Sequence, residues 1–363
     1  MRLIGSRAGI GAAVTLVMLV SAAGASAKAL TKVVYAGPPP NINQVAGKLG
    51  VTQSFGKAFS PDINAYFNKK TTINVGDSVS FQLRGFHTVD FPATGGSALP
   101  LIVPGKTATG NDAAGNPFWW SGMLPSVGLN PALFAPPKAK TFNGSARWDS
   151  GLSGGNGPPK PSKLKFTKPG TYKFFCDIHP GMFGTIVVKP AGKAIPSAKQ
   201  DAAASLAQLT SDIKAAEKVA KAKQPADTVS LGESTPGGVE LYAMFPTSLT
   251  VNAGTVVTFR MSKNTFETHT ATFGNAATLK KLANGFANDP VFPAQGVYPS
   301  DPTQPVAESP TNHGDGFANV GALDNDPATK TIPSSGKIDF ATAGTYHFIC
   351  LIHPNMHGTI IVK

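Results

Sequence analysis

The chain has 363 residues, 41% of them hydrophobic and 14% charged, with 39 Gly and 31 Pro. That composition excludes a disordered polyelectrolyte, a coiled coil and a Lys/Glu-rich helical bundle, and the length predicts about two domains, each able to bury its own core. The formal net charge is +12, or +10 once Arg2 and Arg7 are set aside with the segment that carries them.

Residues 1–27 read as an export signal. Arg2 and Arg7 form a basic start, the run from Ala8 to Ala23 is apolar or small, and Ala25-Ser26-Ala27 offers an A-x-A cleavage site. An uncleaved anchor is the competing reading, but the run is short and Gly-interrupted for a span of about 20 residues. The two arginines are not adjacent, so a twin-arginine signal is unsupported. The expected compartment is periplasmic, extracellular or cell-envelope, and no membrane segment is expected after cleavage.

Two copies of one unit follow. Phe166 to Lys189 reads FTKPGTYKFFCDIHPGMFGTIVVK and Phe340 to Lys363 reads FATAGTYHFICLIHPNMHGTIIVK, identical at 15 of 24 positions at an offset of 174. Upstream, the segment from Thr72 to Phe81 matches that from Thr250 to Phe259, and His87-Thr88-Val89-Asp90-Phe91 matches His269-Thr270-Ala271-Thr272-Phe273. We therefore expect domains at 28–195 and 226–363. Tyr172, Phe174 and Cys176 alternate with Lys173 and Phe175, and Tyr346, Phe348 and Cys350 with His347 and Ile349, the period of a strand, and many short strands with Gly/Pro turns predict an all-β fold of two sandwiches. The Gly/Pro-rich stretches 92–165 and 274–337 are too long for plain loops and are expected to hold further strands and excursions. Between the copies, 196–225 forms a linker in which Ala198 to Lys223 is predicted to be helical, with Leu206, Leu209, Ile213 and Ala216 at helical spacing. Whether this helix is a spacer or docks its apolar stripe is left open.

The repeated loop carries the chemistry. Cys176-x2-His179-x2-Met182 and Cys350-x2-His353-x2-Met356 each place a thiol, an imidazole and a thioether within seven residues, and His87 and His269 are the histidines shared by both upstream halves. Two imidazoles, one thiolate and a weak axial thioether form a donor set that selects copper and suits one-electron transfer. Zinc more often takes three or four Cys/His ligands and has no need of a thioether. For two cysteines in an exported chain the ordinary reading is a disulfide, here set against the complete ligand context around each one. Core packing for the two Met, and structural roles for His87 and His269, are the corresponding bland readings.

The pattern G-T-Y-x-F-x-C-x-I-H-P-x-M-x-G-T-I-x-V-K, with its upstream H-T-x-x-F and G-x-x-V-x-F strand, resembles the plastocyanin/azurin cupredoxins, and the spacing before Met is closer to amicyanin than to plant plastocyanin. The resemblance implies tandem Greek-key β-sandwiches and one type 1 copper per domain, two per chain. Its ligands would be His87, Cys176, His179 and Met182, then His269, Cys350, His353 and Met356. It implies an electron carrier between a donor and an acceptor redox protein. The basic balance is compatible with an acidic partner or an anionic envelope surface, while export argues against nucleic acid. Two other classes stand beside it. A multicopper oxidase or nitrite-reductase type of enzyme would need His-only centres, yet the chain has no His-x-His pair and only His313, His347 and His357 remain over, which leaves at most a site shared between subunits. A copper-delivery protein would favour Met-rich or His-rich tracts, and neither occurs. The two centres are expected to differ, because Asp177 follows the first Cys where Leu351 follows the second, and Phe183 follows the first Met where His357 follows the second.

Overall fold

In the computed structural model the described residues are 29–51, 53–108, 125–134, 139–152, 161–265, 267–289, 291–300, 317–326 and 332–363. The expected export signal, and with it His313, lies outside them. Among the described residues no helix is long and apolar enough to cross a membrane.

The all-β expectation holds: four five-stranded sheets form two tandem sandwiches joined by a helix. In the first sandwich one sheet runs Tyr66–Phe67, Thr31–Ala36, Ser78–Leu83, Ser162–Phe166, Thr141–Phe142, and the other Trp148–Asp149, Asp90–Phe91, Gly170–Phe175, Phe183–Lys189, Lys70–Asn74. Inward residues alternate along these strands as period-2 burial requires; in Phe183–Lys189, for example, Gly184, Ile186 and Val188 are buried. Their side chains meet in a core built on Phe81, Phe91, Phe166 and Phe174, and Cys176 and Met182 belong to the same core.

The second sandwich repeats the plan with Phe259, Phe273, Phe340 and Phe348 at its centre and Cys350 and Met356 in its core. The correspondence extends to strand direction. Thr31–Ala36 lies parallel to Ser78–Leu83 as Thr228–Ser234 does to Thr255–Met261, and Lys70–Asn74 lies parallel to Phe183–Lys189 as Ser248–Val251 does to His357–Val362.

Three features join the copies. Pro61–Ile63, from the first half of the chain, pairs antiparallel with Val239–Phe245 and forms the edge of a sheet in the second sandwich. The segment leading to it folds as two short helices, α1 (Ile42–Lys48) and α2 (Gln53–Phe59). The interdomain helix α3 (Ala198–Val219) starts at a capping box in which Ser197 and Gln200 exchange side-chain-to-backbone bonds. It docks rather than spaces: Leu209, Ile213 and Ala216 enter a core with Val45, Ile63, Phe67, Val239, Leu241 and Phe245, drawn from both halves. Leu206 is 46% exposed and takes no part, so the stripe is narrower than its sequence spacing suggests.

The two long stretches also meet. Strands Ile102–Ala108 and Pro125–Leu129 make a hairpin in the first, and the second holds helix α4 (Ala276–Asn288) and strand Ala318–Leu323. Phe292 N–H donates to Val127 O at 2.9 Å, and Ile102, Val127, Phe292, Val297 and Ala322 form a small core between the two excursions. Helix α4 is one of the excursions expected there, its helical form not having been specified. Asn275 caps it through the Thr278 N–H, and Leu279, Leu282 and Ala283 bury its inner face.

Candidate metal centre

Each sandwich brings one Cys and two His together at one end. In the first, His87 Nδ1 and His179 Nδ1 are 2.9 Å apart, and Cys176 Sγ lies 3.9 Å and 3.4 Å from them. In the second, His269 Nδ1 and His353 Nδ1 are 3.1 Å apart, with Cys350 Sγ at 3.7 Å and 3.8 Å. Both cysteines are free, and each lies in its own sandwich core, so neither is part of a disulfide. Met182 and Met356 are buried beside their Cys, and the loop backbone fixes them there. Met182 N–H donates to His179 O and Cys176 N–H to Met182 O, at 2.9 and 3.0 Å, and Met356 N–H to His353 O and Cys350 N–H to Met356 O, at 2.8 and 2.9 Å. His347 and His357 are exposed and bonded locally, to Thr359 Oγ1 and Asn355 O.

The residue after the upstream His ties the two pieces of each centre together. Thr88 N–H points at Cys176 Sγ at 3.4 Å, and Thr88 Oγ1 accepts from the Asp177 N–H at 2.8 Å. Thr270 makes the same pair of contacts, with Cys350 Sγ at 3.4 Å and the Leu351 N–H at 2.8 Å. These threonines were visible in the shared H-T-x-x-F pattern, yet only the fold shows that they clamp the Cys loop to the His segment. A second pair of residues presses on the upstream imidazoles from behind. Gly37 and Gly232 have φ of +89° and +76°, and a Cβ there would lie 2.9 Å and 3.0 Å from the Nε2 of His87 and His269. Only glycine combines that backbone with that approach.

The electrostatics differ between the centres. Burial, reinforced by His179, holds the His87 imidazole well below its usual pKa, so it stays neutral. At the second centre, burial works against the charged forms, but the contacts outweigh it: Cys350 and Glu240 push His269 up to about 10, and His269 and His353 hold the Cys350 thiol well below its usual value. The two imidazoles thus favour the thiolate form of Cys350, the form in which sulfur binds metal. Asp177 neither faces water nor carries a full charge at neutral pH. It is 2% exposed, it accepts from the Leu99 N–H at 2.8 Å, and burial with the neighbouring Asp90 pushes it up to about 7. Asp90, paired with Arg147, and Asp149 complete this acidic cluster, raised by burial to about 6 and about 8. The second centre has Leu351 packed on α4 at the place of Asp177.

One carboxylate touches both centres. Glu267 Oε1 lies 2.9 Å from His179 Nε2 and accepts from Tyr242 Oη at 2.9 Å and Asn64 Nδ2 at 3.3 Å, while Oε2 lies 3.8 Å from His353 Nε2. Burial would raise its pKa, but His179 and then His353 hold it down at about 2, so it is ionised. Tyr242 also stacks on the His353 ring at 4.7 Å and 19°. Nothing in the repeat pattern marked Glu267, because the first copy has Gly85 at the equivalent position two residues before the ligand His.

The chemistry of the donor set fits a soft transition ion: two imidazole nitrogens and a thiol sulfur converge without an intervening side chain, twice in one chain. Neither a protein-family model nor a curated protein matches the chain. Solved structures do: a mutant plastocyanin of fern, at 22% identity and TM-score 0.21, over 38% of this chain and 99% of that one; a purple cupredoxin from Nitrosopumilus maritimus, at 17% and 0.20, over 38% and 100%; and auracyanin A, a "blue" copper protein from Chloroflexus aurantiacus, at 20% and 0.24, over 38% and 96%.

Proposed function

We propose that the protein binds one copper ion in each sandwich and serves as an exported carrier of single electrons between redox partners. His87, Cys176 and His179 would hold the first ion with Met182 as a weaker fourth donor, and His269, Cys350 and His353 the second with Met356. Bound there, copper supplies a reversible one-electron couple. The chain's own residues provide the rest: the Thr clamps fix the Cys loop, the glycines fix the upstream imidazoles, and burial keeps water from the sulfur. The observation that carries this reading is the convergence of two Nδ1 atoms and one buried Sγ at the same end of both sandwiches. Burial of the Cys in the core supports holding an ion over handing it on, since transfer to another protein needs accessible sulfur. Residues 1–27 support export, and the positive balance supports a partner of acidic surface.

The test is to load apo protein with Cu(II) and measure stoichiometry together with the optical spectrum. Two coppers per chain and an intense sulfur-to-copper band that bleaches on reduction and returns on oxidation are expected. Cys176→Ser and Cys350→Ser should each remove one copper and its share of the band, and the double variant should be colourless. Retention of the band in the double variant, or tight Cu(I) binding with no stable Cu(II) state, would overturn the proposal.

A further inference from the structure

The two centres are not independent modules. We infer that Glu267 is a positioning residue shared between them, a single carboxylate that orients the loop histidines of both sandwiches and sets the electrostatics of both centres together. The inference rests on the metal-binding reading above and extends it from two separate sites to one coupled pair.

The geometry is specific. In each centre the histidine Nδ1 atoms face the cysteine sulfur, so the opposite ring edges, the Nε2 atoms, point away from the donor set. The Nε2 edge of His179 meets Glu267 Oε1, and that of His353 meets Oε2, so a carboxylate from the second half of the chain closes the outer edge of the first centre. His179 is 4% exposed as a result. Asn64 from the first half and Tyr242 from the second hold the same oxygen, so the carboxylate is fixed by donors on both sides of the domain junction. A hydrogen bond from the far nitrogen of a ligating imidazole fixes its tautomer and ring orientation and makes it a stronger donor. Here one carboxylate does this for the His179 ring and lies in charge contact with the Nε2 edge of the His353 ring in the other domain. Because 2.9 Å is a hydrogen bond and 3.8 Å is a charge contact without one, the first centre should feel Glu267 more strongly than the second.

Glu267→Gln removes the charge and keeps the shape. In apo protein labelled with 15N at histidine, the Nε2–H of His179 should be protected from exchange in the parent and lose that protection in the variant. This arm needs no metal, so it decides whether the shared acceptor exists even if the copper reading fails. In copper-loaded Cys176→Ser and Cys350→Ser proteins, each with a single centre, adding Glu267→Gln should raise the reduction potential of both, since loss of a nearby anion disfavours Cu(II). A tenfold change in the Cu(II)/Cu(I) ratio, about 59 mV for one electron, is expected at the first centre and a smaller rise of the same sign at the second. Tyr242→Phe keeps the ring stacked on His353 but removes a donor from Glu267, so both potentials should fall. A shift confined to one centre, or an unprotected His179 Nε2–H in the parent apo protein, would overturn the inference. Absence of any sulfur-to-copper band in the parent would instead overturn the copper reading and leave the apo arm to decide this one.

Discussion

Substituting Asp212 by Asn should stabilise the protein at neutral pH and do nothing at acid pH. Asp212 lies on α3, is 6% exposed, and faces Gly237 in a turn of the second sandwich so closely that a Cβ on that glycine would be 2.0 Å from Oδ1. Burial pushes its pKa up from 3.8 to about 6, against the opposing pull of Lys69 and a bond from Gln208. Since the folded value exceeds the unfolded one, the native state holds the proton more tightly. Its contribution is therefore intact below about pH 4 and is lost as pH rises through 6. A shift of about two units corresponds to about 3 kcal/mol at 1.36 kcal/mol per unit. Asn mimics the protonated acid at every pH. The stability difference between Asp212→Asn and the parent, from urea unfolding at a series of pH values, should thus grow from near zero below pH 4 to about 3 kcal/mol above pH 6, the variant being the more stable. Parallel pH profiles, or a less stable variant at pH 7, would refute the argument that α3 docks with a carboxylate beneath it whose burial Lys69 and Gln208 only partly offset.

Thr270→Val leaves the buried Leu351 N–H without its acceptor, so it should cost about 1–3 kcal/mol in denaturant and weaken copper retention at the second centre; Thr88→Val should do the same at the first. Gly232→Ala sets a Cβ against Glu240 and His269 at positive φ, and should destabilise by more than about 1 kcal/mol while altering the optical band of the second centre alone. Apo protein should keep its β-sheet circular dichroism, because each sandwich has an apolar core of its own; collapse of that signal on chelation would contradict this.

The donor set was readable because its chemistry is local and written twice: three side chains within seven residues, repeated 174 positions later, specify a loop before any fold is known. His87 and His269, far upstream, were legible only through that repetition. What escaped was asymmetric or long-range. Glu267 has no counterpart in the first copy, so comparing the copies erased it. Asp177 marks a difference between the centres in the sequence, yet its place among Asp90 and Asp149 depends on segments about 30 and 90 residues away, and their crowding favours the neutral acid. Helix α4 carried its own signals, a cap at Asn275 and Leu279, Leu282 and Ala283 at helical spacing, submerged in a stretch rich in Gly and Pro.

The strand Pro61–Ile63 has a consequence for the history and handling of the molecule. A duplicated gene ordinarily yields beads that can be separated, shuffled or lost one at a time. By lending three residues of the first bead to the edge of the second, this chain has given up that freedom. Cutting at the interdomain helix would strip the second bead of a sheet edge and bare the Val239–Phe245 backbone as a template for pairing with other chains. The second half expressed alone should therefore aggregate unless residues 61–63 are supplied in trans, and the duplication is best regarded as a single heritable unit.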